Sequence, residues 1–350
     1  MYTRRSFGKV LLAAVPAVPF LAQASAAQKV NSKINGVRMG LQSASFTFSG
    51  MGIDDIIQTM VNVGLGEIDV MAEHVEAYLG APGVQVPGTG RPGPWARQAG
   101  ARQGGAPGAT PGGAPGAAPG GAPPAAPGGA PGAGPRGGGG FGRGGDPVVR
   151  EALRKWRLDV GLDKYKAVGD KFKDAGLKFY SYNLSFNDSY TDEEIGKGME
   201  MAKALGTRIL TVSSPMSVLP RVAPLAEKHD VIVALHNHTT GPDEFAQAMA
   251  LSKNMWVNLD VGHFFASGHD PLAYIRAHHA RITNIHVKDR KANNGAEMPF
   301  GQGETPLKET LLLMRSEKYD FPVCIEYVGP DGPAVELKRC FDYCKAVLKS

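Results

Sequence analysis

Apolar residues recur along the chain in two periods, and stretches of the two kinds follow one another in turn. Short runs rich in β-branched residues, such as 282–287, are typical of buried parallel strands. Stretches such as 53–63 place apolar residues three and four positions apart, as amphipathic helices do. The pattern predicts strands over 37–41, 67–71, 177–184, 208–212, 231–235, 256–259, 282–287 and 323–325, and helices over 53–63, 165–175, 193–205, 218–228, 243–251, 272–277, 307–316 and 334–348.

Residues 1–26 stand outside this alternation. Arg4, Arg5 and Lys9 precede an apolar run over 10–21, and Ala-Ser-Ala closes the segment. A charged start, an apolar run too short to span a bilayer and a small-residue end predict a secretory signal. The paired arginines are similar to a twin-arginine signal, so we expect export to a bacterial periplasm without a stable membrane anchor. An ordinary secretory signal or an uncleaved anchor is the alternative.

Residues 80–146 are the second exception. Positions 80–145 hold 25 of the 46 Gly and 13 of the 26 Pro, without the strict three-residue glycine period of collagen. With few large apolar side chains, this stretch cannot bury enough surface to offset the entropy of ordering it. The sequence predicts a disordered Gly/Pro/Ala-rich insertion after the second strand, dividing the folded body into 27–79 and 147–350.

The formal charge of +5 is concentrated in these two segments. Residues 1–26 carry +3 and residues 80–145 carry +5, both without acidic residues, so the remainder carries −3. A basic surface that attracts phosphates is therefore not a property of the folded body. We expect no nucleic-acid partner.

The length of the folded body limits its architecture. About 258 residues remain outside the two segments, close to the ~250 residues of a (β/α)8 barrel. Eight strand–helix units over that length predict an α/β fold, the TIM barrel. A doubly wound open sheet is the alternative, but no Gly-rich phosphate-binding turn follows the first strand.

Polar residues cluster at the predicted C-terminal strand ends, where TIM barrels place their chemistry. Each of strands five to eight supplies a His or a carboxylate there, in the runs His236-Asn237-His238, Asp260-Val261-Gly262-His263, His286-Val287-Lys288-Asp289 and Glu326. Neighbouring strand ends converge, so these groups can meet around one ion. Imidazoles together with carboxylates suit one divalent metal ion such as Mn, Zn, Fe or Co.

Four motifs also carry a family resemblance: L-D-V-G-H at 259–263, I-H-V-K-D at 285–289, F-G-Q-G-E at 300–304 and I-E-Y at 325–327. In their order and spacing, the chain resembles the xylose-isomerase-like TIM-barrel superfamily over about residues 36–79 and 147–348. Members of that superfamily are commonly labelled sugar phosphate isomerases/epimerases. The resemblance implies one metal ligand from each of strands five to eight, which fall on His236, Asp260, His286 and Glu326.

His236 departs from the family pattern, because many of its sugar epimerases have a glutamate there that forms an acid/base pair with the strand-eight glutamate. A metal-bound imidazole retains an N–H donor and is a poor base. We therefore expect chemistry that needs one base, Glu326 or Glu73. The predicted reaction is proton transfer next to a carbonyl of a small carbohydrate, as in an isomerase or epimerase.

Other polar residues near strand ends receive supporting roles. Lys288 is expected to bind a substrate oxygen or to stabilise an enediolate, with a surface salt bridge to Asp289 as the alternative. Predicted substrate contacts are His238, His263, His74, Asn183 and Gln42.

Two other functions fit the same residues. The resemblance also implies a lyase, because some exported relatives of this barrel act on 3-keto-glycosides, and β-elimination likewise needs one base and a Lewis acid. A metal-dependent sugar-binding protein without catalysis is the third hypothesis. A phosphorylated substrate is not expected, because Gly301-Gln302-Gly303 alone is a weak phosphate-binding signal. A homo-oligomer is compatible with all three functions.

Overall fold

The computed structural model describes residues 29–89 and 146–350. The predicted signal at 1–26 and positions 90–145 of the predicted insertion lie outside the described residues. The structure therefore addresses the barrel and the two places where the insertion joins it.

Eight parallel strands form a closed barrel. Each strand pairs with the next one along the chain, and the last pairs with the first, Val323 lying beside Met39. This closure confirms the predicted TIM barrel. The strands are β1 (Val37–Gln42), β2 (Glu67–Met71), β3 (Lys178–Asn183), β4 (Ile209–Val212), β5 (Ile232–His236), β6 (Met255–Asp260), β7 (Ile282–Val287) and β8 (Val323–Ile325).

Helices connect the strands and cover the outside of the barrel. They are α1 (Ile53–Val63), α2 (Ala72–Tyr78), α3 (Pro147–Asp159), α4 (Leu162–Asp174), α5 (Asp192–Ala204), α6 (Leu219–His229), α7 (Pro242–Ala250), α8 (Val261–Ala266), α9 (Pro271–His278), α10 (Leu307–Glu317) and α11 (Pro333–Lys349). No helix within 29–89 and 146–350 is long and apolar enough to cross a membrane.

Local sequence explains where several helices begin. Thr191 and Glu194 form a capping box at α5, since each side chain accepts a hydrogen bond from the other residue's backbone N–H. The Asp146 carboxylate accepts from Val148 N–H at the start of α3, and Pro147 occupies the first helical position, where a missing N–H costs nothing.

The strands are buried on both faces because helices cover one side and the barrel interior the other. All six residues of β7 are buried, and one apolar core joins the strands to the inner faces of the helices. The interior also contains a polar layer in which each side chain has no exposed surface: Asp69, Ser181, Thr211, Asn258 and Asn284. Such buried polar groups need partners, and several of them hold the site described below.

Sequence and structure agree within one residue at the ends of all eight strands. Three helices were not predicted, namely α2, α3 and α8, nor were the paired two-residue strands Asp289–Arg290 and Glu297–Met298. A further two-residue strand, Lys33–Ile34, forms a hairpin with β1. The short helices α2 and α8 begin directly after a strand. No turn residues therefore separate the strand pattern from the helix pattern in the sequence.

Residues 80–89, which composition assigns to the insertion, pack against the loop after β1. Gly50 N–H donates to the Pro87 carbonyl at 3.0 Å. Gly88 has φ +92°, and a Cβ there would lie 2.4 Å from the Phe48 carbonyl carbon, so glycine permits this close approach. The insertion therefore leaves the barrel near the C-terminal rim of its strands.

Candidate metal centre

Four side chains from consecutive strands meet at the C-terminal rim of the barrel. His236 and Asp260 are the last residues of β5 and β6, His286 is the second-last residue of β7, and Glu326 directly follows β8. The pairing of β6 with β7 places Asp260 beside His286. Parallel strand ends converge at this rim, so residues far apart in sequence become neighbours.

One potential ligand atom from each of these four residues lies within 4.8 Å of the others. Among these residues, His286 Nδ1 and Glu326 Oε2 form an ion pair at 3.1 Å. Asp260 and His286 have no exposed surface, and His236 is 6% exposed. The structure brings the four predicted ligands together, while their binding of a metal stays a prediction.

Both imidazoles have one ring nitrogen held by a buried side chain. Asn258 Nδ2 donates to the Asn284 carbonyl, which leaves Asn258 Oδ1 to accept from His236 Nδ1 at 2.7 Å. His236 Nε2 is then the nitrogen with a free lone pair. In His286 the Nε2 atom lies 3.1 Å from Asp69 Oδ2, so Nδ1 is the nitrogen that faces Glu326.

Both carboxylates are also held through one oxygen. Asp260 Oδ1 caps α8 by accepting from His263 N–H at 2.7 Å. Asn237 links the ends of β5 and β6, since its amide exchanges two hydrogen bonds with the Asp260 backbone. Glu326 Oε1 accepts from Lys288 Nζ at 2.7 Å. Each candidate ligand is therefore oriented through one of its two polar side-chain atoms and can offer the other to a metal ion.

Two buried polar atoms of this cluster lack a hydrogen-bond partner among the described residues, Asp260 Oδ2 and His286 Nδ1. Leaving such an atom unpaired costs about 1–3 kcal/mol. A cation shared by the two atoms would satisfy both. Two imidazole nitrogens and two carboxylate oxygens also suit Mn, Zn, Fe or Co. The residues present thus fit a divalent metal ion.

The protonation of the cluster reflects burial and charge. Burial raises the pKa of Asp260 to about 7. Burial also acts to raise the pKa of Glu326, but Lys288 and His286 bring that pKa well below its usual range. For His286, burial lowers the pKa, yet the carboxylates of Asp69 and Glu326 raise it to about 9. The site therefore favours positive charge between its carboxylates.

Lys288 is buried within the site. Its side chain is 9% exposed, and its ammonium lies 2.7 Å from Glu326 Oε1 and 3.8 Å from Glu297 Oε2. Burial opposes its charge, but Glu297 and Glu326 raise the pKa of Lys288 above its usual value. The alternative of a surface salt bridge with Asp289 is wrong, because Lys288 is not at the surface and its carboxylate partners are glutamates.

Asp289 has a different function, since it holds the following loop. Its carboxylate accepts from Gly301 N–H at 2.8 Å, Gly303 N–H at 2.9 Å and Thr305 N–H at 3.3 Å. A Cβ on Gly303 would lie 2.0 Å from Asp289 Oδ1, so only glycine lets this backbone approach. The Gly301-Gln302-Gly303 motif therefore surrounds an internal carboxylate.

His238 and His263 lie beside the cluster, with ring centroids 5.0 Å apart. The ring of His238 is also 4.9 Å from that of His236. Arg290 Nη1 donates to His263 Nδ1 at 2.6 Å, so Nε2 of His263 carries the proton. Burial lowers the pKa of His238 to about 4 and lowers that of His263 well below its usual range, and both rings are neutral at pH 7.

Gln42 and Asn183 occupy the ends of β1 and β3. Gln42 is buried and donates to Asp69 Oδ2 at 3.1 Å, while its oxygen accepts from Ala44 N–H. Its amide thus supports the residue behind His286. Asn183 is half-buried at the rim and stays a predicted substrate contact.

Glu73 and His74 are placed differently, because α2 begins directly after β2 and includes both residues. Burial raises the pKa of Glu73 to about 7, and its charged neighbours are Glu76 and Arg157. Glu73 lines a cavity of about 50 Å³ with Arg157 and Tyr190. His74 is 1% exposed, neither ring nitrogen has a partner in the described part of the chain, and burial lowers its pKa to about 4.

Sequence reasoning missed four residues that surround the cluster: Asp69, Asn258, Arg290 and Glu297. Asp69 carried a signal, because an acid between Ile68 and Val70 in a buried strand requires an internal partner. Asn258 had the same signal within β6. Glu297 and Arg290 lie on the hairpin after β7, which has no regular hydrophobic pattern to reveal it.

This fold and site define a class of protein, the TIM barrels with a rim of His and carboxylate groups. A family model described as xylose isomerase-like TIM barrel matches residues 147–344. The chain belongs to the xylose isomerase-like TIM barrel family. The match includes all four ligand candidates and confirms the family that the motifs indicated.

Individual relatives are more distant. The chain is 29% identical over 101 residues to L-ribulose-5-phosphate 3-epimerase UlaE of Salmonella paratyphi C, a match covering 28% of this chain and 36% of the epimerase. It therefore spans about a third of that curated relative. The similarity to this epimerase is therefore limited to part of both chains.

Two solved structures share the fold. A sugar phosphate isomerase/epimerase from Parabacteroides distasonis ATCC 8503 superposes with a TM-score of 0.54 at 14% identity, covering 93% of this chain and 99% of that one. The IOLI protein with a binding zinc atom superposes with a TM-score of 0.51 at 14% identity, covering 89% and 96%. At such identities the likeness establishes the barrel alone.

Proposed function

We propose that the chain is a metal-dependent enzyme of the sugar isomerase/epimerase type, which transfers a proton next to a carbonyl of a small carbohydrate. The observation that carries this proposal is the set of four groups, three of them buried and the fourth 13% exposed, each held through one atom and offering another to a common point. The structurally similar IOLI protein has a binding zinc atom, which is consistent with a metal ion in a barrel of this kind.

His236, Asp260, His286 and Glu326 would hold one divalent ion. Bound there, the ion supplies Lewis acidity that makes a carbon-bound proton beside a carbonyl easier to remove. The two carboxylates, both buried or nearly so, provide the negative charge that such an ion requires. Their pre-oriented oxygens limit the reorganisation needed for binding.

Glu326 is the proposed base. Burial acts to raise its pKa, but Lys288 and His286 bring that pKa well below its usual range, so the carboxylate is free of a proton at pH 7. Lys288 keeps one oxygen in place and carries further N–H donors for a substrate oxygen that gains negative charge. We infer that Glu326 acts rather than Glu73, because Glu73 packs with Glu76 and Arg157 on α2 and α3.

The neutral histidines provide contacts for hydroxyl groups. His263 offers an Nε2–H donor, since its Nδ1 accepts from Arg290. His238 lies between His236 and His263 at ring distances of about 5 Å. Asn183 completes the predicted substrate contacts at the rim. His74 is too buried to touch a substrate unless α2 moves, so we infer a structural role for it.

One observation favours a second candidate, β-elimination from a 3-keto-glycoside. The imidazole of His236 replaces a second carboxylate, and elimination needs one base together with an acid for the leaving group. Glu326 would remove the proton next to the ketone, the electron pair would form a C=C bond, and the β C–O bond would break. The departing oxygen would take a proton from a neighbouring donor, for which Lys288 is the nearest candidate.

Other expectations stand as part of this proposal. We infer export through the twin-arginine route from residues 1–26, and a substrate that is a carbohydrate rather than a nucleic acid. The curated relative has a phosphorylated sugar in its name, but the Gly301-Gln302-Gly303 loop here surrounds Asp289. A homo-oligomer is compatible with the proposal.

Proton exchange is the direct test. Purified protein loaded with Mn²⁺ or Zn²⁺ is incubated in D₂O with free ketoses and aldoses and, separately, with a 3-keto-glycoside. Deuterium at the carbon next to the carbonyl, without aglycone release, supports the isomerase/epimerase proposal. Aglycone release supports elimination instead. Sugar binding without deuterium exchange in any substrate would overturn both and leave a binding protein.

A further inference from the structure

Asp69 is a fully buried carboxylate on β2, inside the barrel behind the metal centre. It follows Ile68 in a strand whose other central residues are apolar. A carboxylate without exposed surface is strongly destabilising unless donors or a positive charge compensate it. The partners of Asp69 therefore indicate why an acid is tolerated here.

Three side chains from three different strands hold this carboxylate. Thr211 Oγ1 on β4 lies 2.9 and 3.0 Å from the two oxygens. Gln42 Nε2 on β1 donates to Oδ2 at 3.1 Å, and His286 Nε2 on β7 lies 3.1 Å from the same atom. Asp69 is thus fixed from several directions across the barrel interior.

The contact with His286 decides which nitrogen that imidazole offers. A carboxylate accepts hydrogen bonds only, so Nε2 must carry the proton it shares with Asp69. Nδ1, 3.1 Å from Glu326 Oε2, is then the nitrogen that can offer a lone pair to a metal ion once the ring keeps a single proton. A carboxylate partner also makes the ligating nitrogen more basic and fixes the plane of the ring.

Asn284 indicates which tautomer His286 would adopt without Asp69. Its Nδ2 lies 3.4 Å from His286 Nε2, on the same side as Asp69. Without Asp69, this amide N–H would favour a lone pair on Nε2 and a proton on Nδ1. His286 would then present an N–H to the centre and could not ligate a metal in that tautomer.

The charge of Asp69 also bears on the unusual ligand set. A histidine at position 236 leaves Asp260 and Glu326 as the carboxylates among the four candidates. Asp69 adds a third buried carboxylate directly behind one ligand. Negative charge at this distance favours a cation at the centre, and no solvent screens it.

We propose that Asp69 is a positioning residue of the metal centre, which fixes the ligating tautomer of His286 and strengthens the binding of the divalent ion. This inference rests on the proposed function, in that a metal must bind at the site. A purely structural role for Asp69 is the opposing interpretation, and it predicts loss of stability without a change at the metal.

The test compares full-chain Asp69→Asn with wild type and with Glu76→Gln. Glu76 is an equally buried carboxylate, paired with Arg157 away from the cluster. Co²⁺ is titrated into metal-free protein, following its visible absorption spectrum, and circular dichroism verifies folding. We expect Asp69→Asn to bind Co²⁺ about 10- to 100-fold more weakly, because the amide carries no negative charge and is a weaker acceptor for the Nε2–H of His286. Glu76→Gln should match the wild-type affinity and spectrum.

Thr211→Val and Gln42→Leu provide a second measurement if Asp69→Asn does not fold. Each removes one support of the carboxylate while leaving Asp69 and His286 in place, and each should weaken Co²⁺ binding by a smaller factor. Wild-type affinity and spectrum in the folded variants would overturn the proposed role of Asp69 and leave the proposed metal centre standing. Wild-type protein that binds no Co²⁺, Mn²⁺ or Zn²⁺ would overturn the proposed metal centre itself.

Discussion

The two halves of the barrel rim carry similar residue types and arrange them differently. At the ends of β5 to β8, the side chains of His236, Asp260, His286 and Glu326 meet within 4.8 Å of one another. At the end of β2, Glu73 and His74 lie on α2. There the carboxylate packs with Glu76 and Arg157, and the imidazole is buried without a partner in the described chain.

The difference depends on where the strand ends. Asp260 is the last residue of β6, so it keeps the strand's inward direction and also caps α8. Glu73 comes two residues after the end of β2, within the first turn of α2, and its charged neighbours are Glu76 and Arg157. A polar residue at the strand terminus is therefore a stronger functional signal than one in the following helical turn.

The largest expected effect is the loss of proton transfer in Glu326→Gln. Removing a base costs about 10²- to 10⁴-fold in rate, so we expect deuterium exchange to fall by that factor even with saturating metal. Glu73→Gln is the matched control on the other half of the rim, and its rate should stay within a few-fold of wild type. Equal losses in the two variants would contradict the difference between the halves.

The β2 half is expected to control stability instead. Arg157 binds Glu76 through two hydrogen bonds of 2.7 and 2.9 Å, with side chains 9% and 1% exposed. Glu76→Gln leaves a buried guanidinium without its anion, which should lower the free energy of unfolding by about 3–5 kcal/mol. Urea denaturation of the variant and of wild type measures this difference in the free energy of unfolding.

The exposed pair of Arg208 and Asp230 is the control for that change. Both side chains are more than half exposed, and Arg208→Gln should change the free energy of unfolding by less than about 1 kcal/mol. A loss of similar size in both variants would argue against the buried pair as the support of α2 and α3.

A smaller effect concerns the pH dependence of stability. Burial lowers the pKa of His74 from 6.5 to about 4, so between these values the unfolded chain binds a proton that the folded chain does not. Stability contributed in this way is present above pH 6.5 and falls with pH, by at most about 1.4 kcal/mol per unit. We expect His74→Leu to lose less stability than wild type between pH 7 and pH 5.

Chemical denaturation at pH 7 and at pH 5 measures how much stability each protein loses between the two values. His279→Gln, which removes a histidine at an exposed position, serves as the control. A slope in His74→Leu as steep as that of wild type would show that His74 is protonated in the folded chain.

Much of the fold was predictable because strand and helix periods are clear in this chain. The bounds 282–287 and 323–325 agree with β7 and β8, and 53–63 agrees with α1. The short helix α2 was not predictable in the same way, since seven residues contain only two turns of helical pattern. Its absence from the prediction is what made Glu73 look like a rim residue.

The site residues were predictable where a position at a strand end fixes which way the side chain points. They were less predictable where a side chain reaches the site from a strand distant in sequence. The four ligand candidates follow from strand ends and family motifs. Asp69 lies 217 residues from His286, and only the closure of the barrel brings the two together. Glu297 reaches Lys288 through a hairpin whose path no periodic pattern indicates.

Metal content tests the central claim most directly. Elemental analysis of purified wild-type protein, His236→Ala and Glu73→Ala should find about one equivalent of a divalent transition metal in wild type and in Glu73→Ala. His236→Ala should retain much less after dialysis against a mild chelator. Full retention in His236→Ala, or wild-type protein that cannot be loaded with any divalent ion, would contradict the assignment of the centre.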